Sequence, residues 1–214
     1  MSAPRIKLLS DTNKRKPYPL NRDQEARLFA ALPTHLAEMA LFAVNTGCRD
    51  GEICSLRWEW AVDVPQLSTT VFIVPGERVK NGDDRLVVLN RVALAIVDRQ
   101  RGVHPTHVFT YRGEPVTRML NSAWIRARTD VGLPQVRVHD LKHTFGRRLR
   151  SAGVSFEDRQ DLLGHRSARI TTHYSGAELS RLLEAANGAC ADAGEAPPRE
   201  VILLPQTGSK ERST

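Results

Sequence analysis

Leu162-Leu163-Gly164-His165-Arg166-Ser167-Ala168-Arg169-Ile170-Thr171-Thr172-His173-Tyr174 is the stretch on which the reading of this chain turns. Two leucines followed by glycine read as the end of a helix, because glycine takes up the left-handed conformation that closes one. The next residues are crowded with His, Arg and Thr, which is poor material for a core. They finish in one of only three tyrosines in the chain. A phenol beside cations and imidazoles is the setting that makes tyrosine a nucleophile toward an anion such as a phosphate. The plainer alternative is a capping histidine followed by a surface tyrosine.

Three further segments carry chemistry-bearing residues. In His139-Asp140-Leu141-Lys142-His143, an imidazole and an ammonium stand at i and i+3, on one helix face, and His143 at i+4 shares much of it. This run is close to the His-Glu-x-x-His of zinc hydrolases. Against that reading, the acid is one methylene short, Lys142 would set a cation beside the metal, and no third ligand follows. A core position is the alternative for His143. Thr46-Gly47-Cys48-Arg49-Asp50-Gly51-Glu52 puts an arginine at a junction between two helices, flanked by glycines that let a ligand approach the backbone. Arg49 presents a rigid fork of donors suited to phosphate, which Glu52 can orient. A capped turn with a solvated arginine is the competing reading. Lys80 stands beside the Asn81-Gly82 turn, where a lysine by itself is an ordinary solvated charge.

The 214 residues fit one domain with appendages, and 41% hydrophobic residues suffice for a core. Lys and Arg number 31 against 24 Asp and Glu, a net charge of +7, which favours a polyanionic partner such as nucleic acid. Cys48, Cys54 and Cys190 are odd in number and lack metal-ligand spacing, so they read as reduced thiols. The beginning of the chain lacks the apolar core of a signal peptide, and no run is long enough to span a bilayer. A soluble, intracellular protein is the expectation.

Periodicity supplies the architecture. Residues 1–19 are polar and basic and read as a flexible lead-in. Asn21 with Gln24 forms a capping-box pattern that opens a helix carrying Leu28, Phe29 and Leu32. Helices are expected over about 36–45 (closed by Gly47), 51–56, 91–101, 117–130, 139–152, 155–163 and 176–187. Thr70–Val74 and Arg85–Leu89 read as strands joined by a turn at Asn81–Asp84. The fold class is therefore mainly α with a small antiparallel β-sheet (α+β). One domain is expected over 20–186, followed by a linker, a short strand at Val201–Leu204 and a disordered tail within 187–214.

Each segment is weak alone, but their order is specific. Thr-Gly-x-Arg-x-Gly-Glu at 46–52, a lysine in a β-hairpin, His139 with a basic residue three positions on, Leu-Gly-His at 163–165 and Tyr174 nine residues later resemble the catalytic domain of the tyrosine recombinases (phage integrase family). The resemblance spans roughly Asn21 to Leu183. It implies that Tyr174 attacks a DNA phosphate to give a 3′-phosphotyrosyl intermediate, with Arg49 and Lys142 on the non-bridging oxygens. It further implies that Lys80 protonates the leaving 5′-oxygen, that His139 acts as acid and base, and that His165 bonds the phosphate. Glu52 and His143 would support this set, and Arg147, Arg148 and Arg166 would meet the DNA backbone. No metal, cofactor or ATP is implied.

The partners implied are double-stranded DNA, other protomers in a tetrameric synaptic complex (monomer when free) and accessory DNA-bending proteins. The setting implied is the bacterial cytoplasm or nucleoid, in a prophage or other mobile element. In one respect the sequence departs from the pattern: the family's second arginine is Lys142, which keeps the charge but loses the planar fork. The alternative function is therefore a DNA-binding module of the same fold with impaired catalysis. Only about 20 residues precede the first helix, so the family's N-terminal core-binding domain is expected to be absent. DNA binding should then be salt-sensitive and poorly selective.

Overall fold

The computed structural model describes residues 15–80, 82–165 and 175–190. The segments 1–14, 166–174 and 191–214 lie outside them, and with these Arg166, Tyr174 and the expected strand at Val201–Leu204. The described elements are α1 (Arg22–Ala31), α2 (Thr34–Thr46), α3 (Asp50–Cys54), β1 (Ala61–Val64), β2 (Thr69–Val74), β3 (Arg85–Val88), α4 (Arg91–Gln100), β4 (Thr110–Tyr111), β5 (Glu114–Pro115), α5 (Ser122–Asp130), α6 (Val138–Ser151), α7 (Phe156–Leu163) and α8 (Gly176–Cys190). Helices with a small antiparallel sheet are what the periodicity predicts.

Local signals set most of the boundaries. The Asn21 side chain accepts from the Gln24 N–H at 2.8 Å, and the Gln24 side chain accepts from the Asn21 N–H at 3.0 Å. These two bonds satisfy donors that a helix start leaves open. α5 begins five residues later than its periodicity suggests, because the Asn121 side chain caps it through Ala123 and Trp124. α8 runs on to Cys190, through part of the expected linker, because Ala189 and Cys190 are buried and the Asn187 side chain accepts from the Arg91 N–H. The lead-in is also less loose than composition suggests. The Tyr18 N–H donates to Asp140 and the Leu20 N–H to Thr144, both on α6, and Leu20 is buried.

The sheet has the order β1-β2-β3, antiparallel throughout, with Phe72 paired to both Ala61 and Val87. β1 has no counterpart in the sequence reading. The β2–β3 connection is not a tight hairpin either. Within it Gly76–Arg78 form a short helical turn, and the Asp84 carboxylate accepts from the Gly76 N–H at 2.8 Å. Phe72, Val74 and Val87 enter the larger core with α1, α2, α4 and α5, whereas Val71 and Val88 join the smaller one with α6, α7 and α8. With Phe72 and Val74 turned to one core and Val71 to the other, β2 reads as a continuous apolar run rather than an alternation, although Ile73 on the Val71 face is exposed.

α2 is the central helix, packed against α1, α4, α6 and α8. Its end fixes the position of Arg49. Gly47 has φ +64, and a Cβ there would lie 2.9 Å from both Phe145 and Leu163. Replacing Gly47 by Ala combines left-handed strain with overpacking, for a loss of about 2–4 kcal/mol of stability. Equilibrium urea unfolding should show it as a lower midpoint with an unchanged slope.

Candidate active site

α6 carries three stripes of side chains, each set by the helical repeat. Val138, Leu141, Lys142, Phe145 and Leu149 are buried, so Lys142 occupies a place in the apolar stripe. Asp140 and Thr144 form the second stripe, which holds the backbone of residues 18–20. The third, His139, His143, Gly146, Arg147 and Arg150, lines a cavity of about 440 Å³. Arg49 and His165 reach the same cavity from their own segments and Lys142 from the buried stripe of α6, while Phe156, Arg159 and Gln160 extend it along α7. None of the described residues lining it is acidic.

The expected residues sort as follows. Arg49, His139, Lys142 and His165 meet at the cavity, and Arg147 lies beside them while donating to the Leu20 carbonyl at 2.9 Å. His143 is not a core residue: it lines the cavity, its ring edge-on to His139 at 4.8 Å between centroids. Arg148 is a correction to the expected backbone contacts. Four residues beyond Thr144, it falls on the second stripe and pairs with the Glu25 carboxylate of α1, away from the cavity. Lys80 is exposed on the 75–84 connection and does not line the cavity. Tyr174 and Arg166 lie outside the described residues.

Two turns present the site. The Arg49 turn is held by Glu52, which is 2% exposed; its carboxylate accepts from the Arg49 backbone N–H and from Arg49 Nη1, each at 2.8 Å. The His165 turn ends α7. Gly164 adopts φ +58, its N–H donates to the Asp161 carbonyl at 3.0 Å, and the His165 N–H reaches the Gln160 carbonyl at 2.9 Å. This double closure satisfies helix-end carbonyls and turns His165 to the cavity rim.

Sequence reasoning missed Arg85. It is 3% exposed at the start of β3, where Nη1 pairs with the Glu52 carboxylate. Nη2 lies 3.3 Å from the Thr46 carbonyl, 3.1 Å from that of Gly47 and 3.4 Å from that of Leu162. One signal was available: Arg85 is two residues before Val87, on the same face of a strand whose face is buried.

The electrostatics follow from burial and crowding. Burial lowers the Lys142 pKa to about 7, and Arg85 and Arg49 press it the same way while Glu52 opposes them. Lys142 Nζ donates to the Leu163 carbonyl. Burial also lowers His139, aided by His143, Lys142 and Arg49, and lowers His165, aided by Lys142, Arg49 and Arg85. Both imidazoles are therefore neutral near pH 7, each able to accept one proton. Burial works against the Glu52 carboxylate, but Arg85 and the hydrogen bonds from Arg49 hold its pKa below the ordinary value.

The lowered Lys142 pKa is a destabilising contribution. Between pH 7 and the unfolded lysine value near 10.4, the unfolded chain binds the extra proton, so this cost shrinks as pH rises through that window and is complete below it. Lys142→Met should therefore melt at a higher temperature than the wild type, with the gain larger at pH 6 than at pH 9 by on the order of 1–3 kcal/mol. Thermal melts at the two pH values measure it.

Comparison with known proteins places this chain in a family. Residues 19–181 match the model of the phage integrase family. The integrase of Salmonella phage P22 is 29% identical over 195 residues, covering 85% of this chain and 49% of that protein. A tyrosine recombinase XerC of Bradyrhizobium diazoefficiens is 40% identical over 173 residues, covering 76% of this chain and 52% of that one. The chain thus spans about half the length of the curated relatives it matches. In fold it is similar to a lambda integrase dimer bound to a COC′ core site, with a TM-score of 0.58 at 20% identity over 89% of this chain and 53% of that one. A recombinase XerH bound to its difH substrate gives 0.54 at 21% identity, over 85% and 57%. With residues 19–181, three quarters of its length, matching the family model, this chain belongs to the phage integrase family.

Proposed function

We propose that the chain breaks and rejoins DNA in site-specific recombination, with Tyr174 as nucleophile and one backbone phosphate seated in the cavity. The observation that carries this reading is the convergence of Arg49, His139, Lys142 and His165, from three separate segments, on a cavity lined by no described carboxylate. Such a place suits an anion and repels none of its charge.

In this reading the Tyr174 hydroxyl gives its proton to His139, which is neutral and cavity-facing, as the phenolic oxygen attacks phosphorus. The remaining N–H groups of Arg49, the Lys142 ammonium and His165 hold the non-bridging oxygens as charge builds on them. The bond to the 5′-oxygen breaks, and that oxygen takes a proton from Lys80, whose exposed turn joins the site as part of the DNA complex. Attack by a 5′-hydroxyl of the partner strand reverses these steps and frees the tyrosine. The phosphotyrosyl bond keeps the energy of the broken linkage, so this reading requires no ATP.

Arg147, Arg150 and Arg159 continue the cavity along α6 and α7 and would follow the DNA backbone beyond the reacting phosphate. Lambda integrase forms a dimer on a core site and a tetramer on a Holliday junction. We extend to this chain both duplex DNA and other protomers as partners, and a place in the cytoplasm or nucleoid. Among the described residues no helix is long and apolar enough to cross a membrane.

A nicked suicide duplex resolved on a denaturing gel tests the reading. A covalent protein–DNA adduct should form in EDTA and vanish in Tyr174→Phe. DNA that is retarded without any adduct from pH 6 to 8 would leave only the binding module. Lysine at 142 adds a pH signature. Arginine stays charged, whereas the Lys142 ammonium empties above its pKa of about 7. The kcat/KM of the wild type should therefore fall behind that of Lys142→Arg as pH rises past 7, by up to about tenfold per pH unit.

A further inference from the structure

Arg85 does not line the cavity, yet it holds both of the turns that bring Arg49 and His165 there. Through Glu52 it shares a carboxylate with Arg49. Through Nη2 it reaches the carbonyls of Thr46 and Gly47, where α2 hands over to the Arg49 turn, and the Leu162 carbonyl at the end of α7. The Gly164 backbone lies directly against it: a Cβ on Gly164 would come within 2.5 Å of Arg85 Nε. The next carbonyl, that of Leu163, is the one that accepts from Lys142. We propose that Arg85 is a positioning residue for DNA cleavage, a single buried guanidinium that locks the Arg49 turn, the His165 turn and the Lys142 ammonium into one phosphate cradle.

The geometry demands arginine. Nη1 meets a carboxylate while Nη2 meets carbonyls from the end of α2 and the end of α7, and a planar fork serves both sides together where a lysine ammonium on a flexible stem reaches only some. The charge matters as well. The groups acting on Lys142 are Arg85 from β3, Arg49 and Cys48 from the turn after α2, and Glu52 from α3. His139 and His143 stand on its own helix and His165 at the rim after α7. Among these charged neighbours Arg85 acts most strongly, lowering the ammonium's hold on its proton. The same guanidinium would thus set both where the cradle stands and over which pH range it is fully charged.

This inference rests on the cleavage reading, and two variants separate its parts. Arg85→Lys keeps the charge and loses the fork. Single-turnover cleavage should slow by about tenfold or more, with DNA affinity within about twofold and the NMR titration of the Lys142 side chain in the free protein unmoved. Arg85→Met removes the charge and keeps the bulk, so the Lys142 midpoint should rise by about one pH unit, and the descending limb of the pH–rate profile with it. In a Lys142→Arg background that limb should not move. Cleavage by Arg85→Lys within about twofold of wild type overturns the proposal, as does an Arg85→Met protein whose Lys142 titration stays in place. A loss that merely tracks a loss of folded protein or of DNA affinity, in either variant, assigns Arg85 to the fold alone and also overturns it. If the wild type forms no adduct, the cleavage reading falls, while the Lys142 titrations still decide the action of Arg85.

Discussion

The site depends on one buried carboxylate. Glu52 is enclosed between Arg49 and Arg85 and accepts, in addition, the backbone N–H that opens α3. Taking a carboxylate out of water is costly, and it is tolerated here because both of its oxygens meet positively charged or N–H donors. The benefit is mutual. Without this negative charge, Arg85 would be a buried cation with only carbonyls for partners, and Arg49 would lose the contact that holds its fork at the cavity. Removing one member of such a pair leaves the other uncompensated, which is far more damaging than never having had either. A cavity that gathers positive charge needs a counter-charge that does not itself face the ligand, and Glu52 supplies it from behind.

The other organising element is α6, whose three stripes turn one helix into three devices. One stripe fills the core, one ties down residues 18–20 and pairs with α1, and one faces the cavity. Because adjacent stripes differ by a single residue in register, neighbours in sequence meet different fates. Arg147 faces the cavity, and Arg148 is tied to Glu25. His139 and His143 are four apart and stand edge to face, whereas Asp140 between them is fully buried. A substitution on this helix therefore acts on packing, on the lead-in or on the site according to its stripe, whatever its chemistry.

Lysine at position 142 sets the chemistry of this cavity. The position belongs to the buried stripe, so whatever cation sits there meets desolvation and the fields of Arg85 and Arg49. A guanidinium resists deprotonation under such pressure, and an ammonium gives way. The same crowding keeps His139 and His165 neutral, which leaves the former ready to take a proton. A site tuned in this way is sensitive to small changes in its surroundings, because several of its groups sit near the point of gaining or losing charge.

The sequence by itself determined the parts whose physics is local. The Asn21–Gln24 cap, the glycine closures after α2 and α7, and the shared helix face of His139 and Lys142 can all be read without coordinates, because each depends on residues within one or two helical turns. Only the tertiary structure decided that Arg85, a lone charge heading an apolar strand, reaches Glu52 from 33 residues away and Leu162 from 77. It also decided that Arg148 belongs to Glu25 across 123 residues, and that Ala189 and Cys190 extend a helix into what composition marks as linker. Burial and long-range pairing are properties of the assembled chain, so a charge's partner and its pKa are fixed only once distant segments close around it.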